Sequence, residues 1–108
     1  MPHYLIQAGY TPEGWKALLH KPEDRKEAIR PVVEKLGGKI VNSWFAFGDH
    51  DIVAIVEMPD NVSAAALSLA QAAGGALRSM KTTPLLEVAE GIEAMKRAAT
   101  SGYRPPGK

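Results

Sequence analysis

The chain has no cysteine. That excludes disulfides, thiolate metal sites and a cysteine nucleophile, and it fits a reducing compartment. Net charge is also nearly absent: 13 Lys+Arg stand against 12 Asp+Glu, a formal balance of +1. Such a balance gives no field to neutralise phosphates, so no nucleic acid partner is expected. No apolar run approaches the roughly 18 residues of a membrane span, so no membrane partner is expected. Met1-Pro2-His3-Tyr4 lacks a basic segment and a long apolar one. No secretory signal is therefore expected, and the expected location is cytoplasmic. Catalytic signatures are missing too. There is no Ser-His-Asp order, no G-x-G-x-x-G and no phosphate-cradling loop.

What is present is enough for one domain. The chain has 108 residues, 45% of them hydrophobic. Residues 1–100 read as a single domain. Residues 101–108 are turn formers without periodicity and read as a flexible tail.

The middle of the chain is the most legible part. A Gly-Asp turn in Phe47-Gly48-Asp49-His50-Asp51 separates two strand-like runs, as in a β-hairpin. Residues 39–47 form the first strand, with Ile40, Asn42, Trp44 and Ala46 on one side and Val41, Ser43, Phe45 and Phe47 on the other. Residues 51–57 form the second, and Asp60 is placed to cap the helix that follows. Val62, Ala65, Ala66, Leu69 and Ala73 form one stripe of that helix.

Toward the N-terminus, residues 3–9 read as a strand, and Thr11-Pro12 as a cap and first helical position. Pro22 divides the helical stretch into a short piece at 12–19 and a longer one at about 22–36. In the longer piece Ile29, Val32, Val33 and Leu36 make a buried stripe, interrupted by Pro31. Gly37-Gly38 ends it. Toward the C-terminus, a strand at 76–82 is followed by Thr83-Pro84, read as opening a last helix over 84–98. Leu85, Val88, Ala89, Ile92 and Met95 form its apolar stripe.

The order is β-α-β-β-α-β plus a helix, an α+β fold of the ferredoxin-like kind. Two helices cover one face of a four-stranded antiparallel sheet. The hairpin strands carry large apolar residues on both faces, which a sheet wet on one side would not. The open face is therefore expected to pack on a second copy, as a homodimer or a larger assembly of the dimeric α/β-barrel type.

Tyr4-Leu5-Ile6, Gly14, Lys16, Pro22-Glu23-Asp24-Arg25, Leu36-Gly37-Gly38-Lys39, the run from Phe47 to Asp60, and Leu67 together resemble the GYD-domain family. The likeness covers residues 4 to about 90. It implies a ferredoxin-like, oligomeric protein and brings no reaction or cofactor with it. The family signature is Phe-Gly-any-Tyr-Asp, and here its tyrosine position is His50.

Candidate site residues follow from residue type and place. His50, between Asp49 and Asp51, is either a general base or metal ligand, or part of a polar turn. His3, His20 and His50 have no ligand spacing, so a metal site would need them gathered by folding; no metal or cofactor is expected. Tyr10, Trp15 and Trp44, with Asn42 beside Trp44, are candidates to line a small-molecule cavity between the sheet and its covering loops, or to anchor core and interface. Arg25 is read as a carboxylate clamp or as a surface partner of Glu23 or Asp24. Arg78 is read as the cation of a pocket or an inter-subunit ion pair, with Glu57 as its candidate partner.

The leading expectation is a non-enzymatic homo-oligomeric module with a small-molecule site at the sheet or subunit interface. One alternative is a cofactor-free isomerase or oxygenase using a histidine as proton carrier. The other is a structural or regulatory interaction module.

Overall fold

Strand β1 (His3–Tyr10) sets the layers of the fold by its alternation. Tyr4, Ile6, Ala8 and Tyr10 are buried, while His3, Leu5 and Gln7 point to the opposite face and stay half-covered. In this computed structural model, which describes all 108 residues, helices α1 (Pro12–His20) and α2 (Arg25–Lys35) follow. Strands β2 (Lys39–Phe45) and β3 (Ile52–Glu57), helix α3 (Asn61–Ala73), strand β4 (Leu77–Leu85) and helix α4 (Val88–Ala99) complete the chain. The sheet order is β2-β3-β1-β4, antiparallel throughout.

The core lies between one sheet face and the helices. Tyr4, Ile6, Val33, Ile40, Ala54, Val56, Met58, Ala64 and Leu67 form it, with Ile29, Leu36 and Met80 packed against it. The Tyr4 hydroxyl donates to Asn61 Oδ1 at 2.6 Å, which satisfies the one polar tip of that side chain and fixes the start of α3. The connection from α2 to β2 demands glycine twice. Gly37 has φ +86°, and a Cβ on Gly38 would collide with the Met58 sulfur and the Glu57 carbonyl.

Side chains close the helix starts. Thr11 accepts from the Gly14 amide, Asp24 from Glu27 and Asp60 from Ser63. The Glu87–Glu90 pair forms a capping box at α4. The bond from the Ser63 backbone holds the Asp60 carboxyl below the ordinary aspartate value.

Four details differ from the sequence reading. First, Thr83-Pro84 does not open a helix. Pro84 pairs with Tyr4 inside β4, where the missing N–H is tolerated because β4 is an edge strand. Second, α2 starts at Arg25, with Pro22-Glu23-Asp24 ahead of it, and runs unbroken through Pro31. Third, α3 buries Ala64 and Leu67 rather than the stripe through Val62 and Leu69. In an alanine-rich helix the two stripes are nearly equivalent. Leu67, and the 2.7 Å bond between the Ser68 and Thr82 hydroxyls, accompany the observed face. Fourth, the β2 register shifts between Ile40 and Asn42. Ile40 joins Val56 in the core, while Asn42 and Trp44 lie on the open face opposite Ile55 and Val53.

The observed α3 face is tested by paired truncation. Leu67 is 2% exposed and Leu69 70%. Leu67→Ala is expected to lower unfolding stability in urea by about 2–5 kcal/mol, and Leu69→Ala to stay within about 0.5 kcal/mol of the parent. A second test concerns acid. Because the Asp60 carboxyl is lowered in the folded chain, its contribution is full above the ordinary carboxylate range. It is lost as pH falls through the lowered value. Asp60→Asn keeps an acceptor without the titration, so its stability is expected to fall less steeply in acid, as read by thermal melts across pH.

Candidate functional site

The hairpin motif is a junction of three strands. The Ala46 amide donates to the Asp51 carbonyl and the Asp51 amide to the Ala8 carbonyl, both at 2.8 Å. The Asp51 carboxylate accepts the Tyr10 amide at 2.9 Å and lies 3.6 Å from the Arg78 guanidinium. Arg78 also donates to the Asp49 carbonyl at 3.1 Å. Its guanidinium covers Gly9, where any side chain would collide with it. Asp51 therefore ties the start of β3 to the end of β1 and the start of β4.

Arg78 thus pairs with Asp51 and not with Glu57. Antiparallel pairing places Glu57 at the other end of β3, opposite His3. There the His3 ring lies 3.5 Å from Glu57 and 3.8 Å from Glu87. At the hairpin tip Phe47 is fully exposed. His50 is half-buried, and its Nδ1 is enclosed without a hydrogen-bond partner. His20 is exposed at the end of α1.

The open face of the sheet is apolar at its centre. Leu5 on β1, Val53 and Ile55 on β3, Trp44 on β2 and Leu85 on β4 share it, as the pairings Leu5–Ile55, Trp44–Val53 and His3–Leu85 require. No element covers this face, and Trp44 is 49% exposed. Beyond Leu85, α4 buries none of its residues. Val88 is 80% and Met95 70% exposed. The radius of gyration is 17.3 Å, against about 13 Å for a compact domain of this length; α4 and the tail stand clear of the core.

An apolar concavity lies on the other face, under α2 and α3. It is a cavity of about 320 Å³ floored by β1, β2 and β3. It exists because the side chains meeting there are small: Ala8, Ser43 and Ala54 from the sheet, Ala70 and Gly74 from α3, and Ala76 before β4. Its walls are otherwise aliphatic. The polar groups that reach it are Tyr10, Arg25, Lys26, Ser43 and Gln71. Burial pushes the Tyr10 phenol above the ordinary tyrosine value, against the opposing pull of the Arg25 charge. Hydrogen bonding to Glu23, at 2.6 Å, raises Arg25. Trp15 meets Tyr10 edge-on, ring centres 5.0 Å apart.

The sequence-derived candidates therefore separate. Tyr10 and Arg25 line the cavity, and Trp15 backs Tyr10. Trp44 and Asn42 lie on the open face, and Arg78 and His50 belong to the hairpin junction. None of the three histidines lines the cavity. Lys26 and Gln71 were not singled out from sequence. The signal that marks the cavity is a run of small residues at inward strand positions, which is readable only once the register is known.

Comparison with known proteins places this arrangement. The GYD domain matches the chain over residues 4–95. The chain belongs to the GYD domain family. A protein of Thermus thermophilus named glutamine synthetase and cystathionine beta-lyase binding protein is similar to it. The two are 28% identical over 96 residues, which is 89% of this chain and 100% of that protein. No solved structure matches the chain. At the family's Gly-Tyr-Asp signature, the aspartate position is Asp51, the strand junction, and the tyrosine position is His50.

The junction predicts unequal costs for its two partners. Asp51→Ala leaves the Tyr10 amide without its acceptor, so equilibrium unfolding is expected to show a loss of about 1–3 kcal/mol. Arg78→Ala removes a half-exposed ion pair and an exposed bond to the Asp49 carbonyl, and leaves no buried amide unpaired, so it is expected to cost less, about 1 kcal/mol.

Proposed function

We propose that this GYD-domain chain is a homo-oligomeric protein-interaction module that binds proteins rather than transforming a substrate. Two copies pair through the open sheet faces, and each α4 lies across its partner. The observation that carries this reading is the position of α4. An amphipathic helix of 12 residues with no packed face is marginal in water on its own, and it begins beside an apolar sheet face that also lacks a cover.

Size favours a second copy that uses both surfaces. Four strands about 4.8 Å apart and some six paired residues long present roughly 400 Å² of projected area. A stable interface takes about 800 Å² from each partner. The sheet face falls short alone, and the stripe of Leu86, Val88, Ile92 and Met95 adds the missing apolar surface. A sheet face plus an arm is also self-complementary under a two-fold axis: each arm covers what the other copy leaves open. Stacked sheets at about 10 Å leave room for the Trp44, Val53 and Ile55 side chains to interdigitate.

The relative from Thermus thermophilus, named for binding two enzymes, supports the wider reading that the assembly holds other proteins. Small-molecule chemistry by a histidine has less support: no histidine lines the apolar cavity under α2 and α3, and His3 lies in a separate groove against Glu57 and Glu87.

Sedimentation equilibrium tests the reading. The parent is expected to run at twice the chain mass at micromolar concentration. Val53→Asp places a charge at the centre of the open face without touching the helix-covered core. It is expected to weaken association at least about tenfold while leaving the circular dichroism spectrum intact. A parent that stays monomeric up to high micromolar concentration overturns the proposal.

A further inference from the structure

We infer that the cavity under α2 and α3 is a binding site for a small apolar monocarboxylic acid that carries one hydrogen-bond donor on its body. The site is separate from the open face and does not depend on self-association.

Three observations on the cavity define the ligand. Its volume, about 320 Å³, is at the small end of ligand sites, and its walls are mostly aliphatic, as such sites are. A ring or short branched chain fits; a nucleotide does not. Arg25 and Lys26, from the first turn of α2, bring two cations to the cavity. The Glu23 carboxylate bonds to Arg25 and offsets one of the two charges, while the Asp24 carboxylate is turned to the Glu27 amide. What remains suits a single negative charge better than a doubly charged phosphate. Arg25 commits one N–H to Glu23 and retains donors in its planar fork, the geometry that recognises a carboxylate.

The third observation is Gln71. Its amide lines the cavity, and its Oε1 is enclosed without any hydrogen-bond partner. A buried acceptor left unpaired is unfavourable. Turned toward the cavity, the amide presents this acceptor to the ligand, and an N–H or O–H on the ligand's body, which a carboxylate lacks, pairs with it. That favours an indole, amide or hydroxy acid over a plain fatty acid.

Isothermal titration calorimetry with indole-3-propionate, its 1-methyl derivative and its neutral carboxamide tests the inference. Indole-3-propionate is expected to bind, and each analogue to bind at least about tenfold more weakly. Arg25→Gln is expected to reduce carboxylate affinity by a similar factor and leave the carboxamide unchanged. Gln71→Leu is expected to remove the preference for the free N–H. Ala54→Leu fills the floor and is expected to abolish binding of all three. Where that overpacked variant fails to fold, Arg25→Gln and Gln71→Leu decide, since both residues are only part-buried. No heat with indole-3-propionate at millimolar concentration overturns the inference. So does equal affinity of the parent for the acid and its carboxamide, or a preference for the acid that Arg25→Gln leaves unchanged.

Discussion

A four-stranded sheet has two faces, and this chain supplies one layer of helices. Everything else follows from that mismatch. α2 and α3 close the face carrying Tyr4, Ile6, Ala54 and Val56, which becomes the core. The opposite face has to remain wet, be polar, or be covered by something outside the domain. Its outer positions are polar, with Gln7, Lys39, Lys81 and Glu57. Its centre, with Leu5, Val53, Ile55 and Trp44, is not. The same period of two that builds the core therefore builds the surface proposed here for association.

The hairpin signature has a mechanical explanation. In an antiparallel sheet the end of β1, the start of β3 and the start of β4 meet at one corner, where the strand ladders stop and amides lose their partners. Asp51 sits at that corner. Its backbone continues the pairing to Ala8, and its carboxylate takes the Tyr10 amide and faces Arg78. A neutral side chain could accept the amide but would leave the guanidinium unbalanced. At the neighbouring position His50 holds an enclosed nitrogen without a hydrogen-bond partner.

The fold was legible from sequence wherever one local signal was unopposed. The Gly-Asp hairpin, the Thr11 and Asp60 caps and the Gly37-Gly38 stop all act within four residues of themselves. Legibility failed where distant partners decide. Thr83-Pro84 carries the same local signal as Thr11-Pro12. Only the position of β4 at the sheet edge makes a strand proline acceptable. The two stripes of α3 differ by little more than which leucine meets the sheet, and helix periodicity cannot rank near-equal alanine faces. The bulge near Val41 moves Ile40 to the opposite face from Asn42 and Trp44, and nothing in the strand's composition announces it. The cavity was out of reach for a related reason. Ala8, Ser43, Ala54 and Ala70 are unremarkable one at a time, and they leave a space only because pairing and packing bring them together.

These two faces also answer to different thermodynamics. The helix-covered face is stabilised within one chain, so its contribution does not depend on protein concentration. α4 differs, because it buries none of its residues within the chain. Its intrinsic contributions are the Glu87–Glu90 capping box, an acidic first turn and basic Lys96 and Arg97 in the last. Each is worth a few tenths of a kcal/mol to about one, which offsets only part of the entropy of ordering 12 residues. In the proposed assembly, helix order in α4 and subunit association are therefore one linked equilibrium: dilution removes both, and whatever stabilises the helix tightens the dimer. The helical content of residues 88–99 then reports on assembly, while the signals of Tyr10 and Trp15, on the far side of the sheet, do not.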